Sequence, residues 1–457
     1  MDLFIQKMMD HHKFGANSYT ESLKTLEDYY DLLSPVYEYY KKNPNSSEEE
    51  MYRFIYENAS LEKKTLEFIE GKKRASGMVV VVGTAKHHDI LSIGNKQELG
   101  DDGKTKIVPM QTDSIFDMSS VTKLFTCIVL LKLIDEKKIK LTDKISDLDS
   151  RFINLLGVTV EDLLTFRIPI KTSDRIENAK TYNDAQNLIF SMTPDLTQTR
   201  LYTDMGAIVL GYVIETISGN TLYELVEKYI LGPCAMEDTV FEIASEKMNR
   251  VVSNNFERKL INESYLVERD VLRGVVHDGK ARKLEQWERK LYGHAGLFST
   301  GEDMSKLAQG LITGKILDFH WLEKIGINRT GKRMPTGEFS QFHGYLCYSK
   351  NPIEENSEVN HWLSGNAFAL GGYTGNQITI DYLNQVYVFM ASNRCHNRVT
   401  TVTGEKAKFS GSEYVEWNDG KRYLCNRRYA YERDESVIRP AVELALQYRF
   451  LEYLMEK

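Results

Sequence analysis

Ser120 and Lys123 stand three residues apart, directly before a run at 124–131 that is apolar at every position but one. If a helix begins here, the two side chains lie one turn apart on the same face. A serine at a helix N-terminus also meets unpaired backbone N–H groups, which favour a developing anion. A lysine within one turn is one way to activate a serine nucleophile. The same spacing fits a helix-capping serine beside a solvated lysine, so other parts of the chain must decide between the two interpretations.

Composition limits the classes of protein to consider. The 457 residues suffice for a large core and more than one lobe. A hydrophobic content of 42% and a charged content of 27% are typical of a soluble globular protein. The formal net charge of −7, with no block of Lys and Arg, argues against a nucleic-acid partner. No apolar run approaches the length of a membrane span, so we expect no membrane partner either.

The cysteines and the N-terminus bear on compartment and cofactors. The five cysteines are widely spaced and form no Cys-x-x-Cys pair, which argues against both a zinc ribbon and a disulfide framework. The first residues lack the basic flank, long apolar region and cleavage site of a secretory signal. We therefore predict a cytoplasmic protein with reduced thiols, and we expect no metal and no cofactor.

The distribution of apolar residues predicts the domain organisation. Residues 1–75 indicate an N-terminal helical extension that could mediate a homodimer, and residues 76–457 form the main domain. β-Branched runs predict one hairpin at 78–94 and another at 376–391. Between them the pattern is mainly helical, with a helical lobe at about 140–290. Strands at both ends of the domain with helices between them indicate an α+β fold whose sheet joins distant segments.

Two further stretches carry side chains or backbone groups suited to catalysis. Tyr202 precedes an apolar helix predicted at 207–217, and a tyrosine at such a junction can point its hydroxyl into a cleft. Residues 371–376 are rich in glycine and lead into the late strand, so a strand edge there could donate N–H groups to an oxyanion. Each has a simpler interpretation, a half-buried structural tyrosine and an ordinary glycine-rich turn. His294, in a small-residue turn, is more often structural than catalytic in such a context.

In this order, the stretches resemble the serine β-lactamase and penicillin-binding-protein superfamily, on the side of class C β-lactamases and esterases. The resemblance covers about residues 76–400. It rests on three motifs and on four phrases between them, at 116–123, 202–204 and 373–375, and at 159–164, 211–219, 232–239 and 293–300. It implies a β-lactamase/transpeptidase-like fold, in which helices flank an antiparallel sheet beside a mainly helical lobe.

The resemblance also implies roles for individual residues. Ser120 would be the acylated nucleophile, Lys123 its activating neighbour, and Tyr202 the general base that later activates water. The oxyanion hole would be formed by the backbone N–H groups of Ser120 and Asn376. Losing one such donor typically costs about 3 kcal/mol of barrier. The remaining residues of the expected substrate-binding set are Asp204, Tyr373, Thr374 and Gly375.

Three departures from the family pattern bear on the substrate. Asp204 replaces the usual Asn, a change seen among esterase-like relatives. Tyr373 stands where Lys or His is usual. Because that Lys helps to bind a substrate carboxylate, its absence argues against a dedicated β-lactamase or D,D-carboxypeptidase. Residues 166–170 replace a common His-Thr-Ser-Gly turn, which leaves the shape of the cleft wall open.

These observations predict a serine hydrolase that cleaves a small ester or amide through a Ser120 acyl-enzyme, with esterase chemistry favoured. Two alternatives stay open at this point. One is a D-amino-acid-specific peptidase or penicillin-binding enzyme, and the other is a non-catalytic binding protein on the same scaffold.

Overall fold

The computed structural model describes most of the predicted main domain. The described residues are 75–100, 105–197, 201–254, 257–261, 264–267, 273–331, 341–352, 357–359, 363–396, 398–403, 414–416 and 422–424, with scattered residues between 39 and 54. The helical extension predicted for residues 1–75 therefore lies almost entirely outside them, and its role in a homodimer stays a prediction.

The strands follow the two predicted hairpins and add shorter pieces. In chain order they are β1 (Gly77–Thr84), β2 (His88–Leu99), β3 (Thr105–Pro109), β4 (Phe116–Asp117), β5 (Ile170–Lys171), β6 (Thr193–Pro194), β7 (Glu257–Ile261), β8 (Ser264–Val267), β9 (Phe298–Ser299), β10 (Tyr348–Ser349), β11 (Phe368–Gly372), β12 (Asn376–Asp381), β13 (Val386–Ser392), β14 (Arg398–Thr403), β15 (Tyr414–Glu416) and β16 (Arg422–Leu424).

The main sheet has seven strands in the order β10-β11-β12-β13-β1-β2-β3. Each neighbouring pair in it is antiparallel. The junction between its two halves is the pairing of β1 with β13, in which Val80 lies opposite Met390. The antiparallel sheet of distant segments predicted from the sequence is therefore confirmed.

β1 is buried on both faces, which explains its continuous β-branched run. Val79 and Val81 face the large core that the sheet shares with the helices. Met78, Val80 and Val82 face a second, smaller core on the other side of the sheet. Successive side chains of a strand point to opposite faces, so a strand between two cores must be apolar throughout.

The α-helices lie mainly between the two halves of the sheet along the chain. They are α1 (Thr122–Asp135), α2 (Ile145–Leu148), α3 (Val160–Leu164), α4 (Tyr182–Phe190), α5 (Asp204–Ser218), α6 (Leu222–Val226), α7 (Gly232–Cys234), α8 (Gly279–Glu285), α9 (Gly301–Ile312) and α10 (Phe319–Ile325). Shorter 3-10 turns lie at Ser119–Val121, Ser150–Leu155, Ile176–Asn178 and Ser245–Arg250, and a π-helical turn lies at Glu227–Leu231.

α1 is buried around almost its whole circumference, because its residues from Thr122 to Leu131 are all inaccessible to solvent. A helix that is apolar on every side belongs in the centre of a core. Lys123 is therefore carried into the interior on this helix. Within the part of the chain that the structure describes, no helix combines the length and the apolar character that crossing a membrane requires.

Candidate active site

Ser120 lies in the 3-10 turn Ser119–Val121 that leads from β4 into α1. Ser119 adopts a left-handed conformation with φ of +47°, which is uncommon for a residue other than glycine. The Asp117 carboxylate holds this turn by accepting a hydrogen bond from the Ser119 N–H at 2.8 Å and another from the His277 N–H at 2.6 Å. Burial raises the pKa of Asp117, although both backbone donors act in the opposite direction. The Ser120 side chain is half-buried and so remains partly accessible to solvent.

Lys123 connects Ser120 to the rest of the site. Its buried ammonium donates to Ser120 Oγ at 2.9 Å, to Asp204 Oδ1 at 2.7 Å and to the His294 carbonyl at 3.0 Å. Three acceptors match the three donors of an ammonium group. Burial alone would lower the pKa of Lys123, but Asp204 and Tyr202 outweigh it and the pKa lies above its ordinary value. Lys123 is therefore charged at neutral pH and orients Ser120 as a hydrogen-bond donor.

Tyr202 lies beside this ammonium. Lys123 Nζ is 5.1 Å from the centre of the Tyr202 ring, and the Tyr202 hydroxyl oxygen is buried. The ring packs between Phe166, at a centroid distance of 5.0 Å, and Tyr348, at 5.7 Å and nearly parallel. Phe166 belongs to the stretch that departs from the family pattern, and it forms part of the wall behind Tyr202. This packing fixes the ring and leaves its hydroxyl near the lysine.

Asp204 begins α5, and the Thr203 hydroxyl caps that helix by accepting from the Met205 N–H. One Asp204 oxygen binds Lys123, and the other lies 3.1 Å from Lys280 Nζ. Burial would raise the pKa of Asp204, but the two ammonium groups reverse this and hold it below its ordinary value. Asp204 is therefore ionised and serves two lysines. The resemblance placed Asp204 among the expected substrate-binding residues. In the structure, its carboxylate contacts the two lysine side chains instead.

The third motif approaches the Ser119–Val121 turn from the sheet. The Tyr373 N–H donates to Ser119 Oγ at 3.2 Å, next to Ser120. A Cβ atom on Gly372 would lie 2.7 Å from the Met118 carbonyl oxygen, so only glycine allows the strand this close. The tight turn after β11 thus brings one backbone donor to the nucleophile turn, and that donor belongs to Tyr373.

The other residues of this motif turn into the interior. Thr374 Oγ1 and the Asn376 side-chain amide both donate to the Asp117 carbonyl, at 2.8 and 2.6 Å. Gly375 has a φ of +105° and packs against Ser392. Their contacts support the nucleophile turn from behind. The oxyanion role expected for the Asn376 N–H stays a prediction, with the Tyr373 N–H as a second candidate.

Sequence reasoning missed the groups that complete the charged interior. Lys280 and Asp278 lie at the start of α8, 2.8 Å apart, and belong to no motif. His294 is fully buried, with Nε2 2.9 Å from Asp278 Oδ1. His343 packs against Phe166 at 4.9 Å. The signal for His294 was the small-residue turn that carries it, whereas Lys280 and His343 reach the site only through the tertiary fold. No cluster of His, Cys, Asp and Glu suited to a metal ion occurs among the residues described.

The chain is similar to several known proteins. A Salmonella gallinarum protein, proposed by its name to be a D-alanyl-D-alanine carboxypeptidase, is 25% identical over 65% of this chain and 74% of its own length. The solved structure of EstCE1, a hydrolase with promiscuous acyltransferase activity, aligns with a TM-score of 0.56 at 17% identity, over 84% of this chain and 98% of EstCE1. A class C β-lactamase from Rhodobacter sphaeroides aligns with a TM-score of 0.53 at 13% identity, over 86% and 99% of the two chains.

These two alignments confirm the predicted β-lactamase/transpeptidase-like α+β fold. The model of the Beta-lactamase family matches residues 63–409, which is most of the chain and includes all three motifs. The protein belongs to the β-lactamase family and is a serine hydrolase of that family.

Proposed function

We propose that the protein hydrolyses a small ester through an acyl-enzyme on Ser120. The observation that carries this proposal is the 2.9 Å contact between Ser120 Oγ and a buried, charged Lys123. A serine held by an ammonium, beside a tyrosine that can accept its proton, is an activated nucleophile.

The steps assign a role to each group. Tyr202 acts as a phenolate, its own proton having left to solvent and its negative charge being stabilised by the Lys123 ammonium. The phenolate takes the Ser120 proton as Oγ attacks the ester carbonyl carbon. The oxyanion accepts from the Ser120 N–H and from a strand-edge N–H, for which Tyr373 has the direct contact with the nucleophile turn. Collapse breaks the bond to the leaving alcohol, which receives the proton from Tyr202. Water then gives a proton to Tyr202 as it attacks the acyl carbon. Ser120 takes that proton back when the acid leaves.

The surroundings of Tyr373 favour an uncharged substrate over a peptide C-terminus. Its half-buried ring lies 5.1 Å from the His277 ring. An aromatic wall therefore occupies the position where a lysine ammonium would meet a carboxylate. Such a wall suits the apolar part of an ester better than a charged group.

A second candidate is cleavage of D-amino-acid peptides or amides. It is supported by the Arg394 guanidinium beside Tyr373, because arginine is well suited to binding a carboxylate. The name of the Salmonella gallinarum relative points in the same direction.

The first experiment measures intact mass after exposure to a fluorophosphonate. We expect the wild-type protein to gain one adduct and the Ser120→Ala variant to gain none. An unmodified wild-type protein would overturn the acyl-enzyme proposal.

A second experiment compares substrates. Rates on p-nitrophenyl esters are measured against rates on D-aminoacyl anilides, together with labelling by a fluorescent penicillin. Faster ester turnover without penicillin labelling would support the esterase. Faster anilide turnover with labelling would support the peptidase instead.

A further inference from the structure

A chain of alternating charges extends from the nucleophile into the interior. Lys123 contacts Asp204 at 2.7 Å, Asp204 contacts Lys280 at 3.1 Å, and Lys280 contacts Asp278 at 2.8 Å. The side chains are 0%, 25%, 15% and 18% exposed in that order, so water screens them little. The last of these four groups, Asp278, contacts the ring of His294, with 2.9 Å between Asp278 Oδ1 and His294 Nε2.

Lys280 is the member that the two carboxylates share. Asp204 gives one oxygen to Lys123 and the other to Lys280, and Asp278 gives Lys280 a second carboxylate contact. A buried carboxylate without a cation is strongly unfavourable. Asp204 introduces a negative charge at a position that is usually a neutral Asn in the family. Lys123 binds one of its oxygens, and Lys280 supplies a second cation on the other.

We propose that Lys280 is a positioning residue, which holds Asp204 and through it keeps the Lys123 ammonium on Ser120. Asp204 and Lys280 act as one unit in this arrangement, so each is tolerated at full activity only in the presence of the other. This inference rests on the proposed acyl-enzyme function. It adds Lys280 as the residue that stabilises the unusual carboxylate of Asp204 in the site.

Other charged groups face the same space and enter the pH dependence. On the side of α1 and α5 they are Lys123 and Tyr202, beside Asp204. On the side of α8 and its preceding turn they are His277, Asp278 and Glu285, with Asp117 of β4 and His294 across from them.

The test is a double-mutant cycle between positions 204 and 280. The measured quantity is the rate at which a fluorophosphonate labels Ser120, as a function of pH. We expect Lys280→Met and Asp204→Asn each to slow labelling by about tenfold or more, and the double variant to label faster than either single one. Lys280→Met also removes a cation that favours ionised Asp204, so the acidic limb of its pH profile should move to higher pH.

Two further variants separate positioning from mere stability. Lys280→Arg keeps the charge and should retain the acidic limb of the wild type. Lys290→Met is the matched control, because Lys290 is comparably buried at 12% exposure and is paired with Glu215 at 2.8 Å. It should lower the melting temperature without moving the acidic limb.

Additive losses in the double variant, or an unmoved limb in Lys280→Met, would overturn the role of Lys280 while leaving the acyl-enzyme intact. A wild-type protein that is not labelled at all would overturn the proposed function and this inference together.

Discussion

The charge on Lys123 decides which neighbour can accept a proton. With its ammonium donating to Ser120, Asp204 and a carbonyl, Lys123 has no lone pair to offer in the resting site. In the proposed mechanism, the proton of Ser120 therefore leaves through another group. Tyr202 is the neighbour whose hydroxyl interacts with the same ammonium.

Replacing Tyr202 by Phe tests this role directly. The variant removes the hydroxyl but keeps the ring that packs between Phe166 and Tyr348. We expect fluorophosphonate labelling to fall by about 10²- to 10⁴-fold, as for the loss of a general base, with a near-normal melting temperature. Labelling and melting curves of Tyr202→Phe and wild type, run in parallel, measure both. Wild-type labelling by the variant would remove Tyr202 from the mechanism.

Ser120, Lys123 and Tyr202 could be selected from the sequence because each stands in a short motif with a fixed local spacing. Lys280 could not, because its contact with Asp204 joins two helices that are distant in the chain. The contacts of Thr374 and Asn376 could not be predicted from the sequence either. In a tight turn, residues only two positions apart can point in different directions, and the sequence pattern does not show which of them point inward. Local patterns identify a motif, and the tertiary fold decides which atoms of it are presented.

Among the elements, the approach of β11 to the Ser119–Val121 turn leaves no room for a side chain at Gly372. Replacing Gly372 by Ala would put a Cβ atom 2.7 Å from a backbone oxygen, which cannot move like a flexible side chain. We expect a loss of about 1–3 kcal/mol in the free energy of unfolding, as for overpacking, and slower labelling of Ser120. Chemical denaturation and labelling rates measure the two effects.

Gly365→Ala is the control for this substitution, because the space around Gly365 is open to 4 Å. It should leave stability and labelling close to wild type. Equal effects of the two substitutions would mean that the close approach at Gly372 is unimportant.

The predicted elements hold best where periodicity is strong. The apolar run after Ser120 forms α1, and the helix predicted at 207–217 forms most of α5. In the next helical segment, α6 is followed directly by a π-helical turn. Residues 166–170 have no pattern that predicts a secondary structure. The fold shows that Phe166 has a left-handed backbone conformation and packs against the ring of Tyr202.

For the whole molecule, Glu285 links stability to pH. Burial, followed by the carboxylates of Asp117 and Asp278, raises the pKa of Glu285 from 4.5 to about 8. Between these values the folded protein holds a proton that the unfolded chain releases, so this group's contribution to stability falls as the pH rises from about 5 to 8.

Glu285→Gln removes that dependence by keeping a neutral side chain of the same shape. We expect its melting temperature to exceed that of wild type at pH 9, and the difference to shrink at pH 5. Melting curves across this range measure it, with the exposed Glu246→Gln as control. A gain of equal size at both pH values would show that the charge of Glu285 is not responsible.

The pairing of β1 with β13 has a consequence for biosynthesis. A ribosome delivers Ser120, Lys123 and the helices long before it delivers residues 368–392, so β1 waits at the exposed edge of an incomplete sheet. The backbone N–H of Tyr373 belongs to the same late segment. A nascent chain therefore carries Ser120 and Lys123 without the strand that completes their site. The proposed acylation should become possible only late, when the sheet closes.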